Sequence, residues 1–357
     1  MHDMTDRLEP LLRKMAALGI DMFLVSDIHV IRWMTGFSGS NARVLLGGGK
    51  AFFFTDFRYA EQVTQEVRNM EPVIIQGSFV EALLEGGYLS GQKVAIQAEQ
   101  VTVQEARQLE KKLAGVAIDP VEGFFDEFRM IKTAGEIAAM KHAAAVSQQV
   151  LEEILPMISP DVTEADIAAE ISCRHKRLGA EKDAFDPIVA SAGFSALPHA
   201  RPRTERLSPG SLIVIDMGCI CQGYASDQTR TVALGKIPPE ARRIYEITKD
   251  AQQLGLDSAR PGMTGRELDE LVRDYIGSHG YADCFGHGLG HGVGIEVHEK
   301  PRVGKSSEDT LSLHSVFTIE PGIYLPGKYG VRIEDTVVMH ESGAEPFQTF
   351  TKELIEL

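Results

Sequence analysis

The chain has 357 residues, which is more than one hydrophobic core usually supports, so two domains are expected. Hydrophobic residues make up 43% and charged residues 24% of it, as in an ordinary globular protein. A formal net charge of -15 repels phosphate backbones and anionic lipids, which excludes nucleic acid and membranes as expected partners. No segment has the apolar length of a signal peptide or a membrane span, so a cytoplasmic protein is expected.

The first 125 residues predict a small α/β domain. A helix reaching about Leu18 is followed by an apolar strand at 22–25 and by VLLGGGKAFFF, two apolar runs that three glycines join into a hairpin. Short strands at 73–75 and 94–96 follow, and a helix with apolar 3.6 spacing begins near Val103. We place the boundary near residue 125, which gives domains 1–125 and 126–357.

A weak internal repeat marks the second domain. PDVTEADI at 160–167 recurs as PGMTGREL at 261–268, and each copy starts a helix with a threonine followed three residues later by an acid. Long helices, at about 136–155 and 239–259, precede the two copies. Two helix starts can resemble each other by chance, but a true repeat predicts a domain of two similar halves around a shared cleft.

The segment 211–234, SLIVIDMGCICQGYASDQTRTVAL, predicts a β-hairpin around a Gln-Gly turn. Asp216 and Asp227 are equidistant from a centre between Cys221 and Gln222, which predicts that they lie opposite or nearly opposite. Two such carboxylates repel each other unless a cation lies between them or one is protonated. An exposed polar pair is the alternative.

The segment 285–299, FGHGLGHGVGIEVHE, has glycine at every second position from 286 to 294, which argues against a helix and for backbone that approaches a site closely. His287 and His291 therefore do not form the helical pair of an HExxH zinc site. Together with His298 they are candidate site residues, with a structural role as the alternative.

The segment 315–339, SVFTIEPGIYLPGKYGVRIEDTVVM, predicts two strands and a connecting loop. Glu320 directly follows the apolar run VFTI, which is a costly place for an unpaired carboxylate. Arg332 and Glu334 share one face of the later strand. A surface salt bridge from Arg332 to Glu334 or Asp335 is the alternative.

Four carboxylates and one imidazole from strand ends form an oxygen-rich set that suits two divalent ions with bridging carboxylates. Two such ions can activate water and polarise a carbonyl group, so hydrolysis needs no serine or cysteine nucleophile. The sequence contains neither a GxSxG elbow nor a recognisable catalytic-cysteine signature.

Five motifs, VIDMG, SDQTRT, GHGVGIEVHE, IEPG and RIED, resemble in content and order those of the pita-bread (creatinase/aminopeptidase) metallopeptidases. WMTGFSGS and TDFRYAEQ resemble the N-terminal domain of the aminopeptidase P and prolidase branch. The resemblance implies an α/β (α+β) chain. Its C-terminal pita-bread domain would have a pseudo-two-fold repeat and a curved antiparallel sheet, preceded by a smaller α/β creatinase/prolidase N-terminal domain.

The resemblance also implies a dinuclear centre and a homodimer. The implied metal ligands are Asp216, Asp227, His291, Glu320 and Glu334, with Asp227 and Glu334 bridging. The ions would be Mn²⁺, with Co²⁺, Zn²⁺ or Fe²⁺ as alternatives. The implied catalytic residues are Glu320, which shuttles the proton, His298 and His199; the implied substrate-binding residues are His199, His298, His287, Arg302 and Arg332.

The implied activity is hydrolysis of the bond between an N-terminal residue and a following proline. We favour an aminopeptidase P-like enzyme from the short two-domain form and the segment KYGVRIED. The alternative is an Xaa-Pro dipeptidase, or prolidase, in which Arg302 would bind the dipeptide carboxylate; some short aminopeptidase P relatives also carry this arginine, so it does not separate the two activities. Further alternatives are a metal-free binding module of the same fold, which the complete ligand set disfavours, and a hydrolase of small non-peptide molecules.

Overall fold

The structure is a computed structural model that describes residues 7–68, 70–89, 93–113 and 115–357. Contacts within the chain divide it after Glu127 into an N-terminal unit and a C-terminal unit, Phe128–Leu357. None of the helices within the described residues is long and apolar enough to cross a membrane.

The N-terminal unit is built on a mixed six-stranded sheet. Its strands are β1 (Met22–Val25), β2 (Arg43–Gly47), β3 (Lys50–Asp56), β4 (Glu71–Ile75), β5 (Lys93–Gln97) and β6 (Ala117–Val121). They lie in the order β4-β3-β2-β1-β5-β6, and β2 runs antiparallel to both neighbours while the other neighbours pair in parallel. The predicted hairpin is confirmed as β2 and β3, which the glycines 47–49 connect with positive φ angles.

The helices of this part of the chain are α1 (Leu8–Ala17), α2 (Ile28–Thr35), α3 (Ala60–Glu66), α4 (Phe79–Glu85), α5 (Val103–Lys112) and α6 (Asp126–Met130). The predicted helix near Val103 is confirmed as α5, and a capping box between Thr102 and Glu105 fixes its start. An apolar core of residues from the sheet and these helices includes Met22, Leu24 and Leu109.

The C-terminal unit contains four longer helices, α7 (Ala134–Ile154), α8 (Glu164–Arg177), α9 (Pro239–Ser258) and α10 (Gly265–Ser278). Its strands are β7 (Lys182–Asp183), β8 (Ile188–Ser191), β9 (Ser211–Met217), β10 (Cys219–Cys221), β11 (Tyr224–Ala225), β12 (Gln228–Leu234), β13 (Gly290–Gly292), β14 (Glu299–Val303), β15 (Val316–Ile319), β16 (Gly322–Leu325), β17 (Tyr329–Arg332), β18 (Glu334–His340) and β19 (Gly343–Pro346). Short 3₁₀ helices lie at Phe57–Tyr59, Leu155–Met157, Ala192–Ala196 and Ala282–Cys284.

An antiparallel sheet forms the centre of this unit. Its strands lie in the order β14-β13-β15-β18-β12-β9-β8, and β19 pairs with β18. Helices α7 and α8 pack apolar residues such as Val150 and Ile171 on β9 and β12. Helices α9 and α10 contribute Ile244 and Val272 to a second core with β15 and β18. Each half thus buries the apolar stripe of one helix pair against its part of the sheet.

The internal repeat has a structural counterpart. Thr163 caps α8 and Thr264 caps α10, and in both capping boxes the acid three residues later bonds back to the cap residue. Both helices have 14 residues, and both threonines form isolated antiparallel bridges, with Arg206 and Thr310 respectively. The two halves therefore start their second helices in the same way.

The segment 315–339 forms four short strands rather than the two predicted. Pro321 interrupts the first predicted strand between β15 and β16, and Ile333 interrupts the second between β17 and β18. Consequently β16 and β17 form a separate hairpin, while β15 and β18 remain in the large sheet. Glu320 lies in the first interruption, directly before Pro321, and Glu334 directly follows the second as the first residue of β18.

Candidate metal centre

Two carboxylates lie on the hairpin of β9 and β12. The turn is Gln222-Gly223, as predicted, and both residues have positive φ angles, 52° and 84°. Because this turn is centred between Gln222 and Gly223, the register places Asp216 opposite Thr229. Asp216 and Asp227 are therefore not directly opposite: Asp227 precedes β12 by one residue and lies two residues before Thr229, diagonally across from Asp216. The two carboxylates still interact, since the charge of Asp216 contributes to the raised pKa of Asp227.

The imidazole of His291 faces two carboxylates. Its Nδ1 bonds to the carbonyl oxygen of Gly292 at 3.1 Å, which fixes the ring and leaves Nε2 for a ligand. Nε2 lies 3.3 Å from Oε1 of Glu320 and 3.6 Å from Oδ2 of Asp227. This orientation is the one expected of a metal-binding histidine.

The alternating glycines allow β13 to lie very close to its neighbours. A Cβ atom on Gly290 would be 2.0 Å from the carbonyl oxygen of Thr318, and one on Gly292 would be 2.2 Å from that of Lys300. A side chain at either position would displace backbone, so the prediction of close backbone approach is confirmed.

Glu334 completes a compact group of ligand atoms. It lies opposite Thr229 across β18 and β12, and the threonine Oγ1 donates a 2.6 Å hydrogen bond to its Oε2. One ligand atom from each of Asp227, His291 and Glu334 lies within 4.8 Å of the others. These distances are short enough for all three side chains to reach one ion.

The carboxylates of the group are difficult to ionise together. Burial, followed by the charges of neighbouring carboxylates, raises the pKa values of Asp227 and Glu334 well above their usual range. Burial raises the pKa of Glu320 to about 8. The positive charge of Arg332 lowers this pKa, and the negative charge of Asp216 raises it. Divalent cations would remove this repulsion, so the donor set fits a metal centre.

Arg332 anchors one side of Asp216. Its Nη2 donates to Oδ2 of Asp216 at 2.6 Å, its Nη1 to Tyr324 Oη at 3.0 Å, and its Nε to Thr229 Oγ1 at 3.2 Å. The other carboxylate oxygen of Asp216, Oδ1, is buried and has no hydrogen-bond partner among the described residues. A buried oxygen of this kind is costly unless it binds a ligand, which again favours a metal ion.

The three predicted substrate histidines lie near the carboxylates to different degrees. The ring of His298 lies 4.3 Å from that of His291, centroid to centroid. His287 Nε2 bonds to Tyr324 Oη at 2.9 Å, and burial lowers the pKa of His287 to about 4. His199 is exposed. The pKa of His298 is lowered mainly by its own burial and secondarily by the nearby charge of His199. His199 therefore lies at the rim of the site.

Arg302 lies on the strand next to His291, and among the described residues its side chain makes no hydrogen bond or ion pair with the ligand group. Its Cα pairs with that of His291 across β14 and β13, so both side chains project from the same face of the sheet. Its side chain is exposed, and its guanidinium has no ion pair within the described parts of the chain.

Sequence reasoning missed three polar residues of the site, Thr229, Thr318 and Tyr324. Thr229 follows Asp227 by two residues, the spacing that would put both side chains on one face of an extended chain, and this could have identified it. Thr318 donates to Glu320 Oε1 at 3.2 Å and accepts from the backbone N–H of His291 at 3.1 Å. Tyr324, which joins His287 to Arg332, lies in a short apolar strand without any pattern that marks it.

Two family models match the chain. The Creatinase/Prolidase N-terminal domain matches residues 7–131, and metallopeptidase family M24 matches residues 138–341. The chain belongs to metallopeptidase family M24. The resemblance to pita-bread metallopeptidases is thereby confirmed, and the M24 protein is a hydrolase that uses divalent metal ions.

Similar proteins cover the M24 chain from end to end. The Xaa-Pro dipeptidase of Pyrococcus furiosus is 36% identical over 99% of this chain and 100% of its own length. The solved Xaa-Pro dipeptidase of Bacillus anthracis has a TM-score of 0.96 at 36% identity, covering 99% of this chain and 100% of its own. The X-Pro aminopeptidase of Thermotoga maritima has a TM-score of 0.89 at 34% identity, covering 97% and 100%. These matches confirm the two-part α/β fold with a pita-bread domain.

Proposed function

We propose that this M24 protein is an Xaa-Pro dipeptidase with two divalent metal ions. The observation that carries the metal chemistry is the convergence of Asp227, His291 and Glu334 beside the unpartnered buried oxygen of Asp216. The substrate class is supported by the full-length similarity to proteins named Xaa-Pro dipeptidase in Pyrococcus furiosus and Bacillus anthracis.

The five predicted ligands suit the proposed pair of ions. Asp216 and Asp227 would hold one ion and His291 and Glu320 the other, while Asp227 and Glu334 would bridge them. Four carboxylates with one imidazole favour Mn²⁺, with Co²⁺, Zn²⁺ or Fe²⁺ as substitutes. When bound, the ions would supply Lewis acidity, which polarises the scissile carbonyl and promotes deprotonation of water.

Glu320 is the proposed proton carrier. Its side chain contacts His291 and Thr318 within the ligand group. A carboxylate at this position can accept the proton of the attacking water and deliver it to the departing proline nitrogen. Proline leaves as a secondary amine, so protonation of that nitrogen is required before the bond breaks.

The histidines would hold the substrate around this centre. His298 lies against the His291 ring and can donate a hydrogen bond to the substrate carbonyl oxygen, while His199 at the rim can contact the proline side. Tyr324 keeps His287 and Arg332 in fixed positions behind the ligands. These groups would orient the peptide relative to Glu320 and stabilise negative charge on the carbonyl oxygen.

Similarity to Xaa-Pro dipeptidases is the basis for choosing a dipeptidase, and Arg302 is the residue proposed to bind its substrate carboxylate. Its exposed guanidinium is free for a ligand among the described residues and lies on the same sheet face as His291. The C-terminal carboxylate of a dipeptide is a natural partner, and charge-assisted hydrogen bonds of this kind are strong. The sequence-based preference for an aminopeptidase has less support than this alternative, although the Thermotoga maritima neighbour keeps an Xaa-Pro aminopeptidase as the second candidate.

The test compares Ala-Pro with Ala-Pro-Ala in the presence of added Mn²⁺. We expect faster hydrolysis of the dipeptide, and we expect Arg302→Ala to raise KM for the dipeptide by about 10- to 100-fold, because a charge-assisted bond of about 1.5–3 kcal/mol is lost. Lys305→Ala, at an exposed cation of the same region, is the matched control and should change little. If the protein cleaves the tripeptide faster and Arg302→Ala does not change that rate, the aminopeptidase is favoured. If the metal-loaded protein cleaves neither peptide, the proposal is overturned.

A further inference from the structure

The substrate histidines of the proposed site lie on loops rather than on regular strands. His199 follows the 3₁₀ helix at 192–196, His287 precedes β13, and His298 precedes β14. The rings of His199 and His298 are exposed, so packing of the rings alone does not fix them. Their positions therefore depend on whatever holds the backbone of each loop.

The loop of His199 is closed at both ends by one buried carboxylate, that of Glu164. Glu164 is fully buried and accepts hydrogen bonds from Ser191 N at 2.7 Å and Ser191 Oγ at 2.6 Å. It also accepts from Arg203 N and Nε, both at 2.9 Å, and from Arg203 Nη2 at 2.7 Å. The Arg203 guanidinium lies 3.6 Å from the ring centroid of Phe194 within the same loop.

In the other half of the pita-bread domain, the loop of His287 is likewise held by a buried carboxylate, an arginine and a phenylalanine. Asp269 on α10 is fully buried, accepts from Leu289 N at 2.9 Å and forms a two-bond ion pair with Arg273. Arg273 donates to the carbonyl oxygens of Phe285 and His287 at 2.6 and 2.7 Å, and it lies 4.1 Å from the Phe285 ring centroid.

The loop of His298 ends at a third buried carboxylate, that of Glu299. Glu299 accepts from the backbone N–H of Glu296 at 3.0 Å and from Lys132 Nζ at 3.4 Å, and it is paired with Arg129. Arg129 also donates to the side chain of Glu296 at 2.6 Å. Each loop that carries a substrate histidine is thus fixed by a buried carboxylate, an arginine and at least one loop N–H.

We propose that Glu164, Asp269 and Glu299 are positioning residues that hold His199, His287 and His298 toward the substrate. Burying a charge is expensive, and a buried ion pair often adds little to stability, so the gain from such a pair lies in a fixed geometry. Misplacement of a substrate-binding group by about 1 Å can cost about 100-fold in rate. This inference rests on the proposed function, because it concerns how the same substrate groups are held.

The test is a double-mutant cycle between Glu164→Gln and His199→Ala in the metal-loaded protein. We expect Glu164→Gln to lower kcat/KM for Ala-Pro by about 10- to 100-fold while metal content stays at the wild-type level. In the His199→Ala background the same substitution should cost less than about twofold, because Glu164 acts through His199. Asp161→Asn, which breaks the exposed Asp161–Arg206 pair of the same half, is the matched control and should change nothing.

A second variant guards against loss of folding in Glu164→Gln. Arg203→Lys keeps the positive charge but loses the two guanidinium hydrogen bonds to Glu164. Its loss of kcat/KM should also be large in wild type and small in the His199→Ala background. Equal losses from Glu164→Gln or Arg203→Lys in both backgrounds, or an equal loss from Asp161→Asn, would overturn the positioning role while leaving the peptidase proposal intact. Wild-type activity in His199→Ala, by contrast, would overturn the substrate role of His199 itself.

Discussion

Replacing Glu320 with glutamine should stabilise the metal-free protein. Burial raises the pKa of Glu320 from 4.5 to about 8, so the folded state keeps a proton that the unfolded state releases. A carboxyl group with a raised folded-state pKa lowers the free energy of unfolding at every pH above its unfolded pKa, and the loss grows until the folded pKa is reached. Glu320→Gln removes this penalty and retains nearly the same side-chain volume.

The size of the effect follows from the two pKa values. With a pKa of 4.5 in the unfolded state and about 8 in the folded state, protonation linkage lowers the free energy of unfolding by under about 1 kcal/mol at pH 5. The reduction is about 3 kcal/mol at pH 7 and about 4 kcal/mol at pH 8. For a unit of the length of Phe128–Leu357, each kcal/mol corresponds to about 2–4 °C in Tm. Metal-free Glu320→Gln should therefore melt about 6–12 °C above metal-free wild type at pH 7.

Differential scanning calorimetry after chelation, at pH 5, 7 and 8, measures this difference. Glu341→Gln, at an exposed glutamate on the surface, is the matched control and should not alter Tm. Added Mn²⁺ should reverse the order, because metal binding stabilises wild type by mass action and the variant has lost a ligand. A metal-free variant that is no more stable than wild type at pH 8, or a difference independent of pH, would refute the electrostatic reasoning.

Three further substitutions address the ligand group. Asp227→Asn should lose metal and turnover together, as measured by metal analysis and Ala-Pro hydrolysis; full activity would exclude a bridging role. Thr229→Val removes the 2.6 Å donor to Glu334 and should weaken metal affinity by about 10- to 100-fold in a chelator-competition titration, whereas Thr229→Ser should restore it. Tyr324→Phe leaves His287 without its hydroxyl partner and should lower kcat with little change in metal content, and unchanged kcat would show that the contact is dispensable. The predicted homodimer remains a prediction, which light scattering coupled to size-exclusion chromatography checks.

The sequence by itself predicted those elements that are determined by residues close together in the chain. The hairpin of β2 and β3 follows from apolar runs around glycines, and the starts of α8 and α10 follow from Thr163 and Thr264 with their acids three residues later. The alternating glycines correctly indicated that β13 lies close to other backbone. Each of these features depends on residues within a few positions of one another, so a short segment carries the whole signal.

Only the tertiary structure decided which side chains meet. The hairpin symmetry placed Asp216 and Asp227 opposite or nearly opposite, and the turn fixed the exact register, in which Asp216 lies opposite Thr229. The bond from Arg332 to Asp216 and the buried carboxylate of Glu164 join residues far apart in the chain. Such contacts result from the packing of the two halves, and the free energy that selects them comes from burial across the whole sheet rather than from any local pattern.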